Sequence, residues 1–245
     1  MRRSCKCNAV EEIYQKWPTE GKLKDNMNLT LEELKERLKN ESGEVYSYVV
    51  TTVKYRNGEF LQTGSAPNFQ GNLITLCTCK HLMRTWKGVS EWKGIWIAGF
   101  TSMGLNYLFY LMKVSEAYPS HKALWENLPE EARKVKNARY NPCGDVYEPK
   151  PNIKNEFDPS QYYEPIKNHL HAKRCKPAKC KRNECPWHKD INYIDRRTKR
   201  RPALLVGDPT FSFLWSRPMI YFKYKHPRQK VFRNIRSFIL SLEEV

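Results

Sequence analysis

Apolar and polar positions cluster most clearly between Gly71 and Val114, and the rest of the chain is read outward from that stretch. Leu73 to Cys77, Gly94 to Phe100 and Tyr107 to Val114 are short runs rich in β-branched and aromatic residues, with the length and composition of strands. Lys80-His81-Leu82-Met83-Arg84 follows the first run and predicts a basic helical turn, while Thr101-Ser102-Met103-Gly104 reads as a loop before the third. Upstream, Tyr46 to Val53 predicts another strand. A tight turn follows at Arg56-Asn57-Gly58-Glu59, because Asn and Gly tolerate the positive φ that hairpin turns require. Downstream, Ala203 to Val206, Phe211 to Trp215 and Met219 to Tyr224 predict three further strands.

Helical spacing marks the flanks. Val10, Ile13, Tyr14 and Trp17 share a face before Pro18 ends the run. Thr30 and Glu33 form a capping-box pair, and Leu31, Leu34 and Leu38 follow as a narrow apolar stripe. Ser120 predicts the cap of a short helix that stops at Pro129. Val231, Ile235, Phe238, Ile239 and Leu242 line one face of an expected C-terminal helix. From Pro129 to Gln161 the chain is polar and proline-rich, an expected irregular region of a length more often functional than decorative. Residues 1–42 are expected to form a helical arm and residues 43–245 an α+β domain that carries a basic insert at 172–201.

Charge adds a partner to this picture. The 245 residues hold 43 Lys and Arg against 26 Asp and Glu, a formal net charge of +17 that calls for a polyanion, nucleic acid or nucleotide first. No apolar run approaches the roughly 18 residues of a membrane helix, so no membrane partner is expected. Without a secretory signal, the eight cysteines predict free thiols and metal ligands in a cytoplasmic protein rather than disulfides. The chain lacks a P-loop, a dinucleotide fingerprint, a nucleophile elbow and a His-Glu-x-x-His pair, which argues against kinase, motor, dehydrogenase and metalloprotease chemistry.

Four constellations carry candidate chemistry. Cys175, Cys180, Cys185 and His188 follow a C-x4-C-x4-C-x2-H spacing, four soft ligands suited to a structural zinc, with His169 or His171 as substitutes for His188. Around them Lys173, Arg174, Lys181 and Arg182, and later Arg196, Arg197, Arg200 and Arg201, offer phosphate contacts. Cys79, with Lys80, His81 and Arg84 beside it, is the candidate reactive centre. Neighbouring cations at a helix start would lower the thiol pKa, and His81 would move protons; the bland alternative is a small cysteine at a strand end. Asp145 after Gly144 would set a carboxylate against a base edge or ribose hydroxyl, or serve only its turn. Finally, Trp86, Trp92, Trp96, Tyr221, Phe222 and Tyr224 interleave with lysines, as in surfaces that stack bases and hold phosphates, though many of these rings must be core.

Between roughly residues 45 and 225 the order of pieces resembles the second type of nucleotide modification associated domain. The resemblance runs through Tyr46-Ser47-Tyr48-Val49-Val50, Ala66-Pro67-Asn68, Leu76-Cys77-Thr78-Cys79-Lys80, Trp92 to Gly99, Met112-Lys113-Val114, Gly144-Asp145-Val146-Tyr147, Ala203-Leu204-Leu205-Val206 and Phe211-Ser212-Phe213. It implies a factor that modifies or recognises a nucleic-acid base; on their own chemistry Cys79, His81 and Asp145 are the candidate catalytic residues, and Lys80, Arg84 and Trp92 the candidate base or phosphate contacts. A non-catalytic nucleic-acid reader with a structural zinc is the alternative. The expected fold is a mixed or mostly antiparallel sheet curled into a small PUA-like barrel with flanking helices, the barrel being an analogy at the level of folds.

Overall fold

A computed structural model describes residues 13–166, 185–224 and 227–245. In chain order the elements begin with α1 (Gly21–Asp25), α2 (Leu31–Leu38), β1 (Val45–Val50), β2 (Val53–Arg56), β3 (Glu59–Gln62), β4 (Thr75–Leu76) and α3 (His81–Arg84). Next come β5 (Trp96–Thr101), β6 (Leu108–Tyr118), α4 (His121–Asn127), α5 (Glu130–Lys136) and α6 (Pro186–Asn192). The chain closes with β7 (Leu204–Leu214), β8 (Ile220–Phe222), β9 (Lys230–Phe232), α7 (Ile235–Ile239) and β10 (Leu242–Glu244). The fold is α+β. Its main sheet is mixed and has the order β4-β7-β6-β5-β1-β9. Only β1 and β5 run parallel; the other neighbours are antiparallel. Among the described residues no closed barrel forms, since β4 and β9 are both edges.

The central strands are apolar on both faces because both faces are covered. Tyr46, Tyr48, Val50, Ile97, Met112 and Val114 point into one core with Trp92, Phe69 and Phe109. Val45, Trp96, Ala98, Phe100, Leu111 and Phe213 point into the other, under the Leu31, Leu34 and Leu38 stripe of α2 and under α7. Alternation along each strand thus sorts residues between two cores rather than between core and water.

Several local signals act as their chemistry dictates. Thr30 and Glu33 form the reciprocal capping box. Asn57 and Gly58 take φ of 52° and 85° and join β2 to β3. Elsewhere tertiary contacts override local pattern. The expected C-terminal helix is broken into β9, α7 and β10. Val231 pairs with Tyr46 on the open edge of β1, and the Asn234 side chain accepts from the Ser237 amide to start the helix only there. Residues 203–215 do not break into two strands: β7 continues through Gly207-Asp208-Pro209-Thr210, with register shifts opposite β6. The Asn26 amide holds that bulged segment by donating to the carbonyls of Pro209, Thr210 and Ser212. The expected irregular stretch after Pro129 contains α5. Glu130 and Glu131 fall in its first turn and Arg133, Lys134 and Lys136 in its last, matching the helix dipole.

Candidate functional site

The site lies where β4 ends and α3 begins. Lys80 takes φ 54°, ψ 38°, a left-handed backbone unusual for lysine, and this reverses the chain into the helix. Gly99 makes room on β5 of the same sheet: a Cβ there would meet the Tyr110 ring at 2.2 Å. Tyr110 therefore lies over β5 and donates its hydroxyl to the Tyr48 hydroxyl at 2.9 Å. The Tyr48 hydroxyl is a neighbour of the Cys79 thiol, and the Lys80 ammonium stands 4.9 Å from the Tyr48 ring centroid.

Arg84 locks this connection. It is fully buried, and its guanidinium donates to three carbonyls: Cys79 at 2.7 Å, Cys77 at 2.7 Å and Ala203 at 2.6 Å. It ties β4 and α3 to the entry of β7 and cannot reach a phosphate, which corrects the expectation that it contacts nucleic acid. Trp92 is corrected for the same reason: it has no exposed surface and packs edge-on against Tyr46. Trp96 and Phe222 are core as well, whereas Trp86 and Tyr221 are partly exposed and Tyr224 is exposed.

The Cys79 thiol does not match its expected activation. Burial pushes it up to about 11, outweighing Arg84 and Lys80, so the group is a thiol and not a thiolate at neutral pH. Cys77 is a core residue, raised further by burial and by Asp145 beside it. Asp145 is not exposed to a ligand in a turn. It is fully buried, and its Oδ2 accepts from Thr75 Oγ1 at 2.8 Å, while Oδ1 has no hydrogen-bond partner among the described residues. Gly144 permits this placement, since a Cβ there would meet the backbone of Lys136 and Ala138 at 2.6 Å.

Beneath Asp145 lies a cation that the sequence pattern did not reveal. Lys136, at the end of α5, is buried, and its three N–H donors are shared among four acceptors: Asn68 O at 3.0 Å, Asn68 Oδ1 at 2.8 Å, Leu73 O at 2.8 Å and Thr75 Oγ1 at 3.0 Å. Burial pulls its pKa down to about 8 and pushes that of Asp145 up to about 6. The two charges meet through Thr75 and support each other inside the fold.

His81 has its own carboxylate. Its Nε2 lies 2.7 Å from Asp190 Oδ1 on α6, and the Tyr147 hydroxyl donates to Asp190 Oδ2 at 2.7 Å. Burial lowers the His81 pKa, outweighing Asp190. Asp190 lies 109 residues away and no sequence spacing pointed to it; Tyr147 was visible only as the last residue of the Gly144–Tyr147 segment. The structure thus brings Cys79 and Lys80 together with Tyr48, sets His81 on Asp190, and buries Asp145 as a support.

Of the zinc set, Cys175 and Cys180 lie outside the described residues, as do His169, His171, Lys173, Arg174, Lys181 and Arg182. Cys185 is buried at the N-cap of α6, where the backbone is extended, and His188 lies in the first turn of that helix. Among the described residues no group of three or more His, Cys, Asp or Glu is placed to hold a metal.

The cations after α6 are better defined. Asp195 organises a tight turn: its Oδ2 accepts from the amides of Arg197 at 3.1 Å and Thr198 at 2.6 Å, and its amide donates to Arg200 O at 2.9 Å. Lys199 closes the turn at φ 57°. Arg196, Arg197, Lys199 and Arg200 are left exposed on its rim. Arg201 is half-buried over the Phe157 ring at 3.8 Å and donates to Asn192 O. Among the described residues no helix is long and apolar enough to cross a membrane. No family model, curated protein or solved structure matches the chain.

Proposed function

We propose that this chain binds nucleic acid and recognises or modifies a base, as its resemblance to the nucleotide modification associated domain implies. The observation that carries the reading is the Asp195 turn, which holds Arg196, Arg197, Lys199 and Arg200 outward on a fixed backbone in a chain of net charge +17. Cations on a rigid turn meet phosphates without first having to order a loop. Two segments of the resemblance support the same reading by their placement: Tyr48 and Cys79-Lys80 meet at one strand end. The protonated state of Cys79 favours recognition, or chemistry through His81, over thiolate attack on a base.

With this reading go a sheet curled in the manner of PUA-like barrels, a cytoplasmic setting, and a zinc held by Cys175, Cys180, Cys185 and His188 that would brace the basic insert. Elemental analysis of purified protein, beside Cys185→Ser, tests the metal; metal-free wild type of undiminished stability removes it. The binding test is a salt titration of single- and double-stranded oligonucleotides. Wild type is expected to lose orders of magnitude in affinity over a few-fold rise in salt. Replacing Arg196 and Arg197 by Ala should weaken binding to all sequences alike and lower the salt slope by about one for each phosphate no longer neutralised. An unchanged slope in that variant overturns the reading.

A further inference from the structure

We infer that His81, fixed by Asp190 and Tyr147, is a proton-accepting group presented to a nucleotide-type ligand. The carboxylate decides how the ring is held. Asp190 is 5% exposed, and among the described residues its carboxylate has two side-chain hydrogen-bond partners, the Tyr147 hydroxyl on Oδ2 and the His81 ring on Oδ1. A carboxylate only accepts, so the proton of the 2.7 Å contact sits on His81 Nε2. A neutral imidazole with Nε2 protonated has its lone pair on Nδ1. That nitrogen makes no hydrogen bond among the described residues, and the side chain keeps 15% of its surface exposed. The ring is thus oriented by Asp190 and keeps part of its surface accessible.

Its surroundings define the ligand. The Tyr193 ring lies 5.2 Å from the imidazole, and the Lys189 ammonium stands over Tyr193 at 5.5 Å. Lys80 precedes His81 in the chain, and Arg84 and Lys189 both act on the ring electrostatically. Asp190 offsets the buried Arg84, so the accessible positive charge beside the ring is that of Lys80 and the exposed Lys189, which suits an anion, while the Nδ1 lone pair requires a donor O–H or N–H. A nucleotide has both: a phosphate, and a sugar hydroxyl or a base N–H. Asp190 and Tyr147 are positioning residues, acting through His81. The inference rests on the nucleic-acid reading only for the identity of the ligand.

The test is the ring-nitrogen spectrum of the full chain labelled with nitrogen-15, the His81 signals being identified by their loss in His81→Gln. Wild type should show Nε2 protonated and Nδ1 unprotonated. Asp190→Asn, whose amide both donates and accepts, should mix the two tautomers, and Tyr147→Phe should broaden or shift the pair without unfolding the chain, as read by circular dichroism. Deoxynucleoside monophosphates should move the Nδ1 signal, and inorganic phosphate alone should not. An Nδ1-protonated tautomer in wild type, an unchanged tautomer in both folded variants, no response to nucleotides, or an equal response to phosphate each overturns the inference. The two readings fail separately: loss of oligonucleotide affinity in the Arg196 and Arg197 variant with a silent His81 sinks only this one, and a salt slope unaffected by that variant sinks only the other.

Discussion

Arg84 and Arg200 are both arginines in basic turns, and both donate to a backbone carbonyl, yet they do opposite things. Arg84 is buried, its donors taken up by three carbonyls of the β4–α3 connection and the β7 entry. Arg200 sits on the rim of the Asp195 turn, with one bond to Trp86 O at 3.1 Å and about half its side chain in water. Burial decides the role. A buried guanidinium with a carbonyl on each of its three nitrogens is a structural brace, and one left half in water is available to a phosphate.

The contrast can be broken most directly at its buried end. Arg84→Ala removes the donors from three enclosed carbonyls and leaves a cavity, so urea unfolding should show a loss of about 3 kcal/mol or more. A loss below about 1 kcal/mol would mean that the brace is dispensable.

Cys79 sharpens the same point by its reactivity. A thiol raised from 9.0 to about 11 exposes roughly 100-fold less thiolate at neutral pH than an ordinary cysteine. Alkylation by iodoacetamide, followed peptide by peptide in the mass spectrometer, should be slower at Cys79 by about that factor. Labelling as fast as a free thiol would restore the nucleophile reading.

Asp145 gives a smaller, pH-dependent effect. Its folded pKa, about 6, exceeds its ordinary 3.8, so the folded state holds the proton more tightly. The resulting stabilisation is present below the ordinary value and is lost as pH rises through about 6. Asp145→Asn should remove that component, flattening the fall in unfolding free energy over this window relative to wild type. Identical slopes in the two proteins would place the charge of Asp145 elsewhere than in the Lys136 cluster.

Least of all should change at Arg200. Arg200→Ala is expected to alter unfolding free energy by no more than about 0.5 kcal/mol, while still weakening oligonucleotide binding. A large stability loss would make the rim of the turn structural too.

What the sequence determined by itself was local. The Thr30–Glu33 box, the Asn57-Gly58 turn and the short central strands rest on groups a few residues apart, whose energies the chain contains without knowing its fold. The α+β class and the mixed sheet followed from those pieces. Of the candidate site, the Cys79-Lys80-His81 segment was legible because unusual chemistry was concentrated at a strand end. Only tertiary structure decided which groups that segment meets. Asp190 reaches His81 across 109 residues, and the Lys136 ammonium reaches Asn68 across 68. Trp92, Trp96 and Arg84 could not be told from ligand contacts by type or spacing, because aromatics and arginines serve cores and surfaces alike. The C-terminal periodicity misled for the related reason that a strand edge at β1 offered Val231 backbone partners that helical periodicity does not register. Local energies select conformations one turn or one pairing at a time, whereas burial depends on which distant surfaces close over a residue, and that is settled only when the whole chain packs.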